Sequence, residues 1–433
     1  MPTTPLKNPI LTLIGSFFAW KAFLLTIAIG SGLGPAYDTS STLISPERAS
    51  PDESLFGLGT RLTRWDAIYF VQASRRGYLY EQEWAFGGGL PTVISFFAQA
   101  LEGFGLEPEG SLEPLVGILV ANTSHLLSVL VLYQLGLVVW KNPRLSFTAA
   151  LLHILSPAGI FLSAPYSEST YALLSFLGYL FFCKALLSEK RMVAHDASLV
   201  ASGMWFGFAT TFRSNGIFNG ILFAVELFRE LSVTPTFTSI RRRLALIAGG
   251  SAIALGFILP QIVAYQTFCS GASTTKTRPW CTKPLPSIYS FVQEHYWNVG
   301  FLRYWTPANI PLFLLAAPMI FILINSGLDA FRRASSLDTD NANPKTSPLT
   351  LPNGVALLRS MASSQLILTA LAITNYHTQI ITRISSGYPL WYWWLAGLLG
   401  NRGTAQLGGN IVIFMIMYAG IQGALFASFL PPA

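Results

Sequence analysis

The sequence predicts an all-α polytopic membrane protein, and three observations carry that reading. Hydrophobic residues fill 52% of the 433 positions and charged ones only 11%, at a mean hydropathy of +0.49, which is more apolar surface than a globular core of this length needs. That surface falls in recurring runs at 10–34, 115–139, 145–163, 166–187, 244–267, 309–328, 354–373 and 407–430, most of them close to the ~20 residues that cross a bilayer as helix. The runs do not alternate apolar with polar side chains, which excludes a β-barrel. Residues 1–433 therefore read as a single transmembrane domain.

Taken in order, the first run follows Lys7 and precedes Ser31, Gly32, Gly34 and Ala36, as a cleavable leader would. Its apolar stretch is longer than a usual signal core, so it reads as a retained anchor. The loop 35–88 is dense in charge and aromatic rings at Arg64-Trp65-Asp66 and Glu81-Gln82-Glu83-Trp84, and a short amphipathic helix is expected to start at Asp66. Gly87-Gly88-Gly89-Leu90-Pro91 and 92–105 read as a short segment dipping into the membrane from the luminal side, with a full crossing as the alternative. Segment 199–228 lies between two basic stretches and reads as two half-length helices meeting at Thr211-Phe212-Arg213-Ser214-Asn215-Gly216. Such a break is tolerated only where protein or a water-filled cavity satisfies the freed backbone.

The second large polar loop, 268–308, holds Cys269 and Cys281, a disulfide candidate if the loop faces an oxidising compartment and otherwise two free thiols. Segment 334–349 is polar and poor in hydrophobes and reads as a flexible linker. Its Asp338-Thr339-Asp340 has the form of a metal-holding pair, but no strand pattern precedes it, and a solvated loop is the better reading. The sequon Asn122-Thr123-Ser124 falls within a span and is expected to be unused. The lack of an internal repeat disfavours transporter folds built from duplicated halves.

The net charge of +7 sits in short clusters: Lys141 and Arg144; Lys184, Lys190 and Arg191; Arg241-Arg242-Arg243; Arg332-Arg333. The positive-inside tendency places these in the cytosol, and 35–88, 164–168, 268–308 and 374–388 on the luminal side. The charge is thus orientation in a lipid membrane, and no nucleic-acid partner is implied.

The five histidines, His125, His153, His195, His295 and His377, are scattered. With no metal-ligand spacing, phosphate loop or Ser-His-Asp order, the sequence implies neither metal nor cofactor. His125 and His153 lie within spans as packed or pore-lining groups. Asp66 is either a general base, partly desolvated at the interface, or a helix cap beside belt aromatics. Glu168 opens a helix after Ala164-Pro165-Tyr166-Ser167, where it suits the helix dipole. Arg213, Arg278, Arg303 and Arg383 are the cations on that side. Arg213 is the strongest candidate, because a guanidinium at membrane depth either holds an anion such as phosphate or pairs with a group like Glu168. From Tyr388 to Trp394, five of seven residues are aromatic, as in an interfacial belt, a sugar cleft or a polyisoprenyl groove.

Arg64-Trp65-Asp66-Ala67, Gly77-Tyr78, Tyr80-Glu81-Gln82-Glu83-Trp84-Ala85-Phe86 with the following Pro91, Tyr166-Ser167-Glu168-Ser169, Arg213-Ser214-Asn215-Gly216 and the Ser386–Tyr392 run together resemble the GPI mannosyltransferase 2 (PIG-V-type) family, over residues 64 to 392. The resemblance implies a GT-C helical bundle whose long first luminal loop carries short amphipathic helices and the catalytic acid, in the endoplasmic reticulum membrane. It implies transfer of the second mannose, in α1,6 linkage, from dolichyl-phosphate-mannose to a mannosylated GPI precursor, with a small membrane auxiliary subunit as partner. Asp66 would be the base. Arg64, Trp65, Glu81, Gln82, Glu83, Trp84, Tyr166, Glu168, Arg213, Asn215, Arg383, Tyr388 and Trp391 would bind substrate. A family member would bear bulkier residues or proline near Gly87-Gly88-Gly89, and 334–349 has no counterpart. The competing readings are a GT-C enzyme with another acceptor, a transporter of an anionic lipid or sugar phosphate, and a non-catalytic scaffold subunit.

Overall fold

The computed structural model describes residues 8–31, 37–38, 54–105, 111–188, 190–270, 278–339, 351 and 353–430. Among the described residues there are helices and turns but no strand. The α-helices are α1 (Pro9–Ser31), α2 (Ser54–Leu62), α3 (Asp66–Arg76), α4 (Gly89–Gly103), α5 (Glu113–Trp140), α6 (Pro143–Ile154), α7 (Glu168–Leu187), α8 (Met192–Phe212), α9 (Gly220–Leu231), α10 (Phe237–Cys269), α11 (Ile288–His295), α12 (Ile310–Thr339), α13 (Gly354–Thr374), α14 (Ile381–Ile384), α15 (Pro389–Gly400) and α16 (Ala405–Ala427). By length and composition α1, α5, α7, α10, α12, α13 and α16 can each cross a bilayer, so the chain is a multi-pass membrane protein.

Where the sequence suggests one span at 145–163, the structure differs. α6 stops at Ile154, because Pro157 offers no backbone N–H to continue it. Gly159 then turns the chain at φ +46°, packed so closely on α16 that a Cβ there would stand 2.9 Å from the Ala419 Cβ. The chain continues as a 3₁₀ turn, Gly159–Leu162, whose four residues are all buried. Lys21, a charge inside α1, donates from Nζ to the Leu162 carbonyl at 2.9 Å and to Ser163 Oγ at 2.7 Å, tying α1 to that turn.

The expected break in 199–228 is present, but its limbs are unequal. α8 runs 21 residues before Arg213, and only α9, at 12, is half-length. Ser214–Asn219 forms a 3₁₀ turn between them. The helix expected from 92 starts at Gly89 and has 15 residues, about 22 Å of rise, too short to cross. Gly87, at φ +82°, and Gly89 press against the end of α8: a Cβ on Gly87 would stand 2.7 Å from the Thr211 carbonyl, and one on Gly89 would meet the Phe212 ring. The glycine run thus lets the first loop close on the break.

α7 is the most enclosed of the candidate spans, and α5 and α8 pack on it. α8 and α10 meet backbone to backbone, since a Cβ on Gly203 would strike the Gly249 backbone and one on Gly207 would stand 2.5 Å from the Ala252 carbonyl. His125 and His153 are packed: Ser128 Oγ lies 2.7 Å from His153 Nε2, and Tyr392 Oη 2.9 Å from His153 Nδ1, joining α5, α6 and α15. Asn122 is likewise bound inside α5, donating to the Ile118 carbonyl at 2.8 Å and to that of Ser163 at 3.2 Å. α12 continues through residues 334–339, the first part of the segment read as a linker, and 340–350 lies outside the described residues. The 39–53 portion of the first loop lies outside them as well.

Because α8 and α10 touch through glycine, Gly203→Leu is expected to destabilise the bundle by about 1–3 kcal/mol. Gly15→Ala, with nothing within 4 Å of the added carbon, serves as the neutral comparison. Thermal unfolding in detergent reads both, and equal midpoints would contradict the close approach.

Candidate functional site

A cavity of about 530 Å³ opens where α3, the 3₁₀ turn Glu81–Phe86, the break after α8, α10, α11 and the 376–384 segment converge. Asp66 is the first residue of α3. Trp65 before it is held at φ 54°, and no side chain caps this helix end. The Asp66 carboxylate therefore does not act as the cap that its position suggested. Its Oδ2 accepts from Arg383 Nη2 at 2.8 Å, and its side chain remains 31% exposed, within reach of a ligand.

Glu168, the first residue of α7, is fully buried beneath the cavity. Its Oε1 is 2.7 Å from Arg213 Nη1 and 3.8 Å from Arg383 Nε. Neither contact has hydrogen-bond alignment, and Glu168 Oε2 has no hydrogen-bond partner, so charge alone holds the three groups together. The helix N-terminus adds its own partial positive charge. Arg383 also lies over the Phe161 ring at 5.0 Å and the Tyr166 ring at 5.4 Å. Burial works against the Arg383 cation, but Asp66, Glu168 and Tyr166 outweigh it and push its pKa up. Arg213 is held by the break itself: it ends α8 in an extended conformation, and its Nη1 also donates to Ser167 Oγ at 3.4 Å. Asn215 Nδ2 donates to the Tyr171 and Tyr388 hydroxyls at 3.0 and 3.2 Å, fixing the 3₁₀ turn against α7 and the start of α15.

Two carboxylates and two guanidiniums thus meet at one wall, a charge-balanced set in which the cations can take a phosphate and the exposed carboxylate a proton. Among the described residues, no three of His, Cys, Asp and Glu group as a metal site.

A family model described as Mannosyltransferase (PIG-V) matches residues 17–433. The chain belongs to the PIG-V mannosyltransferase family. It is 52% identical to GPI mannosyltransferase 2 of Chaetomium globosum over 98% of this chain and 97% of that protein, and 46% identical to that of Gibberella zeae over 99% and 98%. The Yarrowia lipolytica protein of the same name is 33% identical over 98% and 99%. Among solved structures, an Archaeoglobus fulgidus oligosaccharyltransferase aligns at TM-score 0.47 and 12% identity, over 94% of this chain and 55% of that one. So low a score carries no argument about function.

Within this mannosyltransferase, Trp65, Asp66, Trp84, Tyr166, Arg213, Asn215 and Arg383 line the cavity, while Glu168 lies under it. Arg64, Glu81, Gln82, Glu83, Tyr388 and Trp391 do not line it. Arg64 is buried, with its guanidinium 4.8 Å from the Phe429 ring, and its carbonyl accepts from the Tyr166 hydroxyl at 3.3 Å. Glu83 binds Arg76 at 2.6 Å and accepts from the backbone N–H groups of Leu79 and Tyr80, so it shapes its own turn. Glu81 is clasped from the second loop: Trp280 Nε1 donates to it at 2.7 Å, the Tyr296 hydroxyl at 3.0 Å, and Arg278 stands 2.8 Å away. Gln82 is half-buried on the same turn. Tyr388 supports Asn215, and Trp391 is fully buried, donating to the Ser385 carbonyl at 3.0 Å. Arg303, on the second loop, pairs with Glu294 at 3.0 Å. Cys269 and Cys281 are joined in a disulfide, with Cα atoms 5.7 Å apart. This places Trp280 and Arg278 beside the end of α10.

Sequence reasoning passed over Gln261, Gln293, Tyr376 and Gln379 and took His377 only as one of five scattered histidines, yet all five line the cavity. They are uncharged or isolated residues inside or beside apolar runs, and no spacing marks them. Burial, reinforced by Arg383 and opposed by Asp66, pushes the His377 pKa down, which keeps its imidazole neutral near pH 7.

Glu168→Ala leaves two part-buried guanidiniums without their shared counter-charge. It is expected to cost about 3–5 kcal/mol of stability, read as a lower midpoint and loss of monodisperse protein in detergent. Glu81→Ala strands the Trp280, Tyr296 and Arg278 donors and should cost about 2 kcal/mol. Faster protease cleavage within 278–309 would register the loosened clasp, and an unchanged cleavage pattern would count against it.

Proposed function

We propose that this chain transfers the second mannose, in α1,6 linkage, from dolichyl-phosphate-mannose to a mannosylated GPI precursor, on the luminal side of the endoplasmic reticulum membrane. The observation that carries the reading is the meeting of Asp66, Arg383 and Arg213 on one cavity wall, in a chain whose relatives are named GPI mannosyltransferase 2. The cavity is lined on α10 by Gly256, Phe257 and Pro260, and the neighbouring Leu255, Ile258 and Leu259 are exposed, which suits a lipid-borne donor arriving from the bilayer.

In the proposed step, the acceptor 6-hydroxyl gives its proton to Asp66 while its oxygen bonds to C1 of the donor mannose. The C1–O bond to phosphate breaks, and its electron pair leaves with dolichyl phosphate. Arg383 and Arg213 take up the charge that develops on that phosphate, so fixed cations supply what a divalent metal would otherwise provide. A single displacement inverts the β-linked donor to an α product and needs only one base. A small membrane auxiliary subunit remains part of this proposal through the family resemblance alone.

The experiment is mannose transfer in microsomes from a strain lacking the native enzyme. Asp66→Asn is expected to lower transfer by about 10²-fold or more, with protein abundance and donor binding retained and the singly mannosylated precursor accumulating. Near-normal transfer by that variant would end the base assignment.

A further inference from the structure

The cavity also carries three glutamines, Gln261 and Gln293 on α10 and α11 and Gln379 one helical turn before Arg383, whose amide nitrogens have no partner among the described residues. Gln261, on α10, accepts at Oε1 from Ser287 Oγ at 3.1 Å and from the Tyr289 backbone N–H at 3.3 Å. Gln379 accepts at Oε1 from the Tyr304 hydroxyl at 3.0 Å. In both, the protein occupies the carbonyl oxygen, which fixes the amide plane and leaves Nε2 without a protein partner among the described residues. The side chain of Gln293, on α11, makes no hydrogen bond to described residues. All three are half-buried and line the same cavity.

Oriented neutral donors of this kind suit hydroxyls rather than phosphate, because a phosphate dianion calls for charged partners, and Arg213 and Arg383 supply those. Aromatic planes complete the setting, since Trp297 and Tyr289 line the cavity too and such rings stack on the apolar face of a hexose. The sugar of a lipid-phosphate donor is bonded directly to its phosphate, so it stays beside the guanidiniums. An acceptor glycan has further rings that must run on past Asp66.

We propose that Gln261, Gln293 and Gln379 form a subsite for the acceptor's glycan, taking hexose hydroxyls through their amide N–H groups. The inference rests on the transferase reading and adds to it the residues that select the acceptor.

The test uses the full-length enzyme with synthetic lipid-phosphate mannose and a synthetic mannosylated glucosaminyl-inositol phospholipid, varying each in turn. Gln261→Met and Gln379→Met should each raise the acceptor KM about tenfold, the equivalent of one lost hydrogen bond, while leaving the donor KM where it was. Gln379→Glu keeps the oxygen that accepts from Tyr304 and removes the amide donor. A raised acceptor KM in that variant, at an unchanged unfolding midpoint, separates recognition from misfolding. A raised donor KM with the acceptor KM unmoved would overturn the assignment to the acceptor. Wild-type turnover with every variant at wild-type acceptor KM would overturn the subsite but not the transferase reading. A wild-type chain that transfers no mannose would overturn both.

Discussion

Everything at the cavity depends on one buried carboxylate. Glu168 has no exposed surface, and an ionised acid there is tolerable only because Arg213 and Arg383 supply counter-charge from two sides and the first turn of α7 adds its partial positive charge. The constraint works in both directions. Arg213 stands at the break between α8 and α9 and Arg383 on the one-turn helix α14, so satisfying Glu168 draws two irregular segments onto the end of the most enclosed helix. The broken backbone after α8 needs protein around it, and Asn215 supplies part of that by donating to the Tyr171 and Tyr388 hydroxyls.

The far wall is set by a second clasp. Glu81 reaches from the first loop to Trp280, Tyr296 and Arg278 on the second, and the disulfide ties that loop to the end of α10. Trp84, Ala85, Phe86 and Gly87, which follow Glu81 directly, line the cavity. The acids that crowd the 81–83 stretch therefore act as struts, and the side chains facing the cavity are the apolar ones beside them. A bond between two loops restrains a wall built from both, while leaving α10 and α12 free to keep their lipid-facing sides.

Seven apolar runs became candidate spans because a helix of apolar residues has no other stable arrangement in lipid, and the break at Arg213 was legible from the charge on either side of it. The turn at Gly159 was harder to see, since Ser156-Pro157-Ala158-Gly159 is short and apolar residues continue past it. Asp66 and Arg383 each stood out alone, yet their ion pair joins residues 317 positions apart, a distance that local pattern does not encode. Gln261, Gln293 and Gln379 were illegible for a different reason. A neutral amide in an apolar setting leaves no mark in composition or charge, and its role comes only from which of its atoms the fold has already used.

The charged corner also explains how such a site can remain stable when empty. Asp66, Glu168, Arg213 and Arg383 sum to zero, so the resting cavity holds no unbalanced charge at low dielectric. Under the proposed reaction, a donor phosphate brings negative charge to the guanidiniums and competes with Asp66 for Arg383. The buried Glu168 does not leave, because it has no path to water. The partly exposed Asp66 is the partner that yields.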